Sequence, residues 1–466
     1  MQQLISKSGS VHATLMRLFS VVFALVLVAC EAGSNSSTTS TPVASTYTVG
    51  GTISGLTSGS LILKNVSTLN SADTLTISTN STTFTFATAL ASITPYNVTV
   101  VTQPSGLFCT VSNGSGFTAN SNVTDVIVAC RTQFAYVVNE SLNAVSMYAI
   151  NASTGLLTAL SPSTITTGDA NYPESIAINP AGSFAYVTSY GGSSVSMYAI
   201  NTSTGILTPL SPSSISSAGT LSSIVINSSG SFAYATSYGG SSVSMYAINA
   251  STGILTALST PIATEFGANS ITINPAGSFA YVANHLSSTV SMYAINASTG
   301  ILTALGTPIV TGLGPRSIAI NPAGSFAYVV NGYSFTVSMY AINASTGILT
   351  ASGTPIATGS SPFSIAINPA GSFAYVVNGA SNTVSMYAIN ASTGILTPLS
   401  TPDITTGSPD SNPYSIAIDS SGSFAYVTNL NGMVSMYAIN ASTGLLTALD
   451  PSTIDALGSL RSIAIK

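Results

Sequence analysis

Ser364-Ile365-Ala366-Ile367, Asn368-Pro369-Ala370-Gly371, Phe373-Ala374-Tyr375-Val376-Val377, Val384-Ser385-Met386-Tyr387-Ala388-Ile389, Asn390-Ala391-Ser392-Thr393-Gly394 and Ile395-Leu396-Thr397-Pro398-Leu399 follow one another in one short stretch. Four apolar runs alternate with turn signals in this stretch. Pro369 presets φ and Gly371 supplies φ > 0 in the first turn, and Asn390 and Gly394 do the same work in the second. The runs are rich in aromatic and β-branched residues and too short for helices, so each reads as a β-strand.

The unit recurs. Phe-Ala-Tyr begins at Phe134, Phe184, Phe232, Phe279, Phe326, Phe373 and Phe424, at intervals of 50, 48, 47, 47, 47 and 51 residues. Four short strands repeated at this period predict a β-propeller. The first unit has no Ser-Ile-Ala-Ile run before Phe134, and the chain ends on Ser462-Ile463-Ala464-Ile465-Lys466, the same run with nothing after it. The C-terminal run is expected to complete the first blade, closing a ring of seven and removing the open sheet edges. Fourteen of the 21 tyrosines and seven of the ten methionines fall in the Phe-Ala-Tyr and Ser-Met-Tyr words. Seven equal copies point to packing between blades rather than to a ligand site.

The fold class is therefore all-β, with four regions. Residues 1–29 form a signal peptide: Leu18–Val28 is an apolar run behind Arg17, too short to span a membrane. Met16 is an alternative start that shortens the n-region. Leu27-Val28-Ala29-Cys30 resembles a bacterial lipobox, and that resemblance implies lipidation of Cys30 and a membrane partner through the lipid. Glu31 follows where an aspartate would signal inner-membrane retention. Residues 30–46 are a Ser/Thr-rich tether. Residues 47–131 carry about seven short strand-like runs and are expected to form an immunoglobulin-like β-sandwich, a spacer stapled by a Cys109–Cys130 disulfide in an oxidising compartment. Tyr47-Thr48-Val49-Gly50-Gly51 and Cys109-Thr110-Val111-Ser112-Asn113 resemble a module that follows the lipobox in other bacterial surface lipoproteins. Residues 132–466 are the propeller. The expected address is the bacterial envelope, at the outer membrane or cell surface.

Composition narrows the chemistry. Only 4% of residues are charged, against about 25% in ordinary globular chains. Beyond residue 29 the basic side chains are Lys64, Arg131, Arg316, Arg461 and Lys466, against all twelve acids, a net charge of −7. Nucleic-acid binding needs a basic stripe, which is missing. His285 is the one histidine past the signal, no His/Cys cluster has metal spacing, and no phosphate loop or dinucleotide fingerprint occurs. No metal or cofactor is expected. The seven Asn-x-Ser motifs lie in the repeated hairpin turn, where asparagine serves the backbone.

Function is expected where the repeats differ. The residue before each Ser-Ile-x-Ile run is Glu174, Ser222, Asn269, Arg316, Phe363, Tyr414 or Arg461. In a propeller these side chains ring one mouth of the axial channel. The loops after the second strand open on the same face and carry Glu140, Tyr190, Tyr238, His285, Tyr333, Asn378 and Leu430. Two insertions, around Asp169-Ala170-Asn171 and Asp410-Ser411-Asn412, join them. Most ionisable groups of the propeller thus gather at one end. Isolated charges also simply solvate loops, but their concentration on a neutral ring marks a site.

Gly422-Ser423-Phe424-Ala425-Tyr426-Val427-Thr428-Asn429 contains Tyr-Val-Thr-Asn, and Pro315-Arg316-Ser317-Ile318-Ala319 fits the start of the same repeats. From Arg131 to Lys466 the chain resembles the YVTN-type surface propellers and, more broadly, the seven-bladed lactonase family. The resemblance implies a lactone-opening site of Arg, Glu and His types, present here as Arg316, Arg461, Glu174 and His285. Two functions compete. One is an envelope binding or scaffold module whose ligand sits among Glu140, Glu174, Asn269, His285, Arg316, Phe363, Tyr414 and Arg461; its partner is an envelope protein, a glycan or a small molecule. The other is a lactone hydrolase in which the arginines polarise the carbonyl and His285 or Glu174 acts as base.

Overall fold

Strict alternation of buried and exposed side chains makes strands of the segments before residue 132. In Val123–Arg131 the residues Val126, Val128 and Cys130 point inward, and in Leu61–Ser67 the residues Leu61, Leu63 and Asn65 do, the period of two that a half-buried sheet requires. The computed structural model describes residues 45–466 except 68, 69, 105, 169, 170 and 218. The signal peptide, Cys30 and nearly all of the tether lie outside the described residues.

Two four-stranded sheets enclose the first core. One runs Thr83–Thr85, Val49–Ser54, Val123–Arg131, Phe108–Ser112, and the other Asn70–Ile77, Leu61–Ser67, Pro95–Thr102, Ser115–Phe117. Val49, Leu61, Leu63, Phe84, Phe86, Val126 and Val128 fill the space between them. A further pair, Thr46–Tyr47 with Leu90–Ala91, brings the count to ten strands rather than about seven. Cys109 and Cys130 are bonded, and they face each other across neighbouring strands of the same sheet. In antibody domains the bridge instead crosses between sheets.

Among the described residues from Gln133 onward there are seven sheets, four of four strands and three in which the outer strand is split in two, as Leu255–Ala257 and Ile262–Ala263. Blade 1 combines Gln133–Asn139, Ala144–Ile150 and Leu157–Thr166 with the C-terminal strand Leu460–Ile465. Ala135 pairs with Ile465, Tyr136 with Ala464 and Val137 with Ile463. The last strand therefore supplies the innermost position of the first blade. Inner strands then touch from blade to blade around the whole circle, Leu460–Ile465 meeting both Pro173–Ile178 and Pro413–Ile418.

The constant words of the repeat are explained at the blade junctions. Each Ser-Thr-Gly glycine has φ between 70° and 74°, a region that an L side chain enters at a cost of about 1–2 kcal/mol. The Phe-Ala-Tyr phenylalanine of the preceding blade lies flat against it: a Cβ on Gly205 would sit 2.3 Å from the Phe134 ring, and Gly155 stands in the same relation to Phe424. In every blade but the fifth, where the Tyr328 hydroxyl has no partner among the described residues, the tyrosine of the same word donates to that glycine's carbonyl, Tyr136 to Gly205 at 2.8 Å and Tyr426 to Gly155 at 2.8 Å. The Met147 thioether accepts from the backbone N–H of Leu207. The Ser-Met-Tyr tyrosine reaches the other way, Tyr198 donating to the Thr166 carbonyl of the previous blade. A buried tyrosine or phenylalanine contributes on the order of 2 kcal/mol by area, and its hydroxyl bond about 1 more. Turn asparagines act as expected: Asn390 Oδ1 accepts from the N–H groups of Ser392 and Thr393.

Candidate functional site

The inner strands begin at one end of the axis, and the side chain at the second position of each points into a cavity of about 420 Å³. Glu140, Glu174, Asn269, His285, Arg316, Phe363, Tyr414 and Arg461 all line it. So do Tyr190, Tyr238 and Ser222. Below them runs a ring of seven serines, Ser175, Ser223, Ser270, Ser317, Ser364, Ser415 and Ser462. Their constancy hid them, because the serine of Ser-Ile-x-Ile reads as part of a strand. Only its place one residue deeper than the variable position marks it as facing the axis.

Three loop assignments shift. Asn378 is not at the mouth: it is fully buried, and its amide donates to Thr383 Oγ1 and Ser385 Oγ. The loop position equivalent to His285 is Gly379 in that blade and Gly332 in the one before, so Tyr333 stands one residue beyond it. Leu430 and the insertion around Ser411 do not line the cavity. Ser411 is instead buried against Thr406 and Asn382. Asp169 and Ala170 lie outside the described residues.

The glycines have a reason. A Cβ on Gly332 would lie 2.4 Å from Arg316 Nε, and one on Gly379 would lie 2.5 Å from the Phe363 ring. Arg316 and Phe363 thus each lie beside a loop position without a side chain, whereas Tyr414 and Arg461 face loops that carry Leu430 and Glu140.

The cavity has two unlike halves. On blades 7, 1 and 2 the Arg461 guanidinium is 2.8 Å from Glu140 Oε2 through Nη2, and its Nε is 3.6 Å from Glu174 Oε2. It also covers the Tyr414 ring at 4.6 Å, and the Tyr414 hydroxyl donates to Glu174 Oε1. Burial pushes the Glu174 carboxyl above the ordinary range, against the pull of Arg461 and the Tyr414 bond. Burial works against the charge on Arg461 too, but its two carboxylates outweigh it and hold the proton more tightly. Burial and the Glu174 charge push the Tyr414 hydroxyl up. Two carboxylates share one cation on this side.

On blades 4, 5 and 6 the Arg316 guanidinium lies 3.9 Å from the centre of the Phe363 ring and 5.8 Å from that of Tyr333. Among the described residues no carboxylate pairs with it, and its Nε is buried without a hydrogen-bond partner. Burial lowers its affinity for its proton. His285 sits between the Tyr333 ring at 5.0 Å and the Tyr238 ring at 6.1 Å, with Nδ1 3.3 Å from the Pro315 carbonyl oxygen. Burial and then Arg316 lower its pKa, favouring the neutral ring. It shares the cavity with Glu174 but makes no hydrogen bond to it or to either arginine. Among the described residues no group of three or more His, Cys, Asp or Glu is placed to hold a metal.

Closed ring, axial cavity and a charged mouth define a seven-bladed β-propeller with a polar site on its axis. The family described as Lactonase, 7-bladed beta-propeller matches residues 117–265, 259–363 and 353–456, and the chain belongs to that family. Solved structures share the fold. A protein provisionally described as a 6-phosphogluconolactonase from Bacteroides uniformis ATCC 8492 is 17% identical, with a TM-score of 0.63 over 72% of this chain and 100% of that one. A protein with the same provisional description from Bacteroides fragilis NCTC 9343 is 19% identical, with a TM-score of 0.61 over 72% and 98%. The periplasmic gluconolactonase of Pseudomonas aeruginosa is 17% identical, with a TM-score of 0.59 over 72% and 99%. At these identities the likeness is one of fold. No curated protein matches the chain.

Proposed function

We propose that the propeller is a binding module, carried on a lipid anchor at Cys30 in the bacterial envelope, and that its mouth holds a small ligand bearing one carboxylate. The observation behind this reading is Arg316. A partly buried guanidinium with no acid beside it is held at a desolvation cost, and a bound carboxylate would match its fork. Phe363 supplies a flat apolar wall. A phosphate dianion fits less well, since the second arginine is already neutralised by Glu140 and Glu174, which would repel it. The serine ring offers hydroxyls to a polar backbone of the ligand.

Calorimetric titration with gluconate, glucuronate and glucose tests this. The acids should bind and the neutral sugar should not, and Arg316→Gln should remove binding. Equal heats for acid and neutral sugar would contradict it.

A second reading is favoured by one observation: Glu174, a buried carboxyl pushed above its usual range, lies beside Arg461 and accepts from Tyr414. Such a group is suited to proton transfer. Arg316 or Arg461 would polarise a lactone carbonyl while Glu174 takes a proton from the attacking water. Hydrolysis of gluconolactone followed by acid release decides between them: turnover abolished by Glu174→Gln supports the hydrolase, and a rate equal to buffer leaves binding.

A further inference from the structure

Seven copies of one unit make a departure in two adjacent copies easy to see. Three residues before each inner-strand mouth residue, the chain has Asn171, Gly219, Phe266, Leu313, Ser360, Ser411 and Gly458. At the second residue of the loop opposite, it has Ser141, Gly191, Gly239, Leu286, Tyr333, Ala380 and Asn431. Blades 4 and 5 alone place large apolar groups at both positions. Phe335 adds a third on the blade 5 loop. Phe266, Leu286, Leu313, Tyr333 and Phe335 are between 42% and 68% exposed.

These side chains form a connected strip. The Leu286 N–H donates to the Phe266 carbonyl and the Tyr333 N–H to that of Leu313, so each blade's two loops are pinned together. Leu286 covers Gly267, and the Tyr333 ring covers Gly314. The two blades join where His285 meets Tyr333, ring centres 5.0 Å apart. The inner end of the strip is Tyr333, which is also 5.8 Å from the Arg316 guanidinium. Exposed large apolar side chains also stand on the loops of blades 1 and 2, as Leu142, Leu457, Tyr172 and Tyr190. The group on blades 4 and 5, however, adjoins an arginine with no carboxylate partner among the described residues, and an exposed apolar patch so placed is a binding feature. Its continuity with an unpaired cation indicates what lies on it: a molecule with an anionic head at Arg316 and an apolar tail running outward over blades 4 and 5.

We propose that the natural ligand is a long-chain carboxylate, its head on Arg316 and its tail along Phe266, Leu286, Leu313, Tyr333 and Phe335. This rests on the binding reading of the mouth and adds to it the tail. Apolar tails gain affinity in proportion to the area they lose to water, so chain length is the variable that separates head from tail.

The test titrates the full-length protein with acetate, octanoate and dodecanoate, and with dodecanol as the uncharged control. Affinity should rise about two- to fourfold for each added methylene along the series, as partial burial of each group implies. Arg316→Gln should lower the affinity of every acid by at least about tenfold, the size of one charge-assisted contact. Leu286→Ser with Leu313→Ser, both exposed and unchanged in melting temperature, should flatten the chain-length series while leaving acetate as in wild type. Equal affinity for acetate and dodecanoate overturns the tail while leaving the mouth as an acid site. No binding of any acid overturns both. Sedimentation with neutral phosphatidylcholine vesicles is the remaining arm. Pelleting that Leu286→Ser with Leu313→Ser abolishes and Arg316→Gln does not would make the strip a membrane contact and overturn the proposal.

Discussion

The blade junctions and the axial mouth are built from the same seven repeats and follow opposite rules. At the junctions the words Phe-Ala-Tyr and Ser-Thr-Gly barely change, because each residue meets a partner in the next blade: ring against glycine, hydroxyl to carbonyl, thioether to N–H. At the mouth the inner strands differ, with six residue types in seven blades, from Glu174 to Arg316 to Tyr414, and what they meet is a cavity. Constancy here reports packing and variation reports an outward-facing role. Within the mouth the contrast repeats on a smaller scale, since Arg461 is paired with two carboxylates and Arg316 with none.

Breaking the ring should have the largest effect. Removing residues 460–466 strips blade 1 of its inner strand and bares the edge of Gln133–Asn139, and a cooperative thermal melt should disappear. In the full chain, Leu460→Asp places a charge at a fully buried core position and should cost at least about 4 kcal/mol in denaturant unfolding. A smaller loss is expected at one junction. Gly205→Ala forces a side chain into a left-handed backbone 2.3 Å from the Phe134 ring, an expected cost of about 2–4 kcal/mol. Arg461→Gln leaves Glu140 and Glu174 without their cation and should cost about 2 kcal/mol, whereas Arg316→Gln should change stability by less than about 0.5 kcal/mol.

The hydroxyl bonds sharpen the comparison further. Tyr426 donates across the closing seam to Gly155, while the buried Tyr328 hydroxyl, in the same word of blade 5, has no hydrogen-bond partner. Tyr426→Phe should lose about 1 kcal/mol and Tyr328→Phe close to none. Glu174 gives the smallest effect, read against pH. Its folded pKa lies above its unfolded one, so the native state binds the extra proton and stability falls as pH rises from the ordinary carboxylate range through the raised value. Below that range the penalty is absent. Glu174→Gln should remove this slope, seen as a flatter curve of melting temperature against pH.

Much of this was legible before any coordinates. The orphan run at Ser462–Ile465 announced the closure because strand order in a ring is a counting problem. The mouth residues stood out because repeats within one chain can be compared with each other. The serine ring did not, since a constant residue carries no contrast. Tyr333 and Asn378 stand one residue out of register although their loops match the His285 loop in length, because a glycine has no side chain to mark the position, and the geometry shows that Gly332 and Gly379 make room for Arg316 and Phe363. The same-sheet position of Cys109 and Cys130 depends on strand order, which spacing does not encode. That Arg461 is paired and Arg316 is not depends on distances across the axis, between residues hundreds of positions apart.

The most direct test of that division is a thermal melt of wild type and Arg316→Gln, each with and without saturating dodecanoate. The two proteins should melt together without the acid, and the acid should raise the wild type alone. A variant that melts clearly lower on its own would make Arg316 a structural residue, and an equal rise in both would place the acid elsewhere; either result contradicts the account.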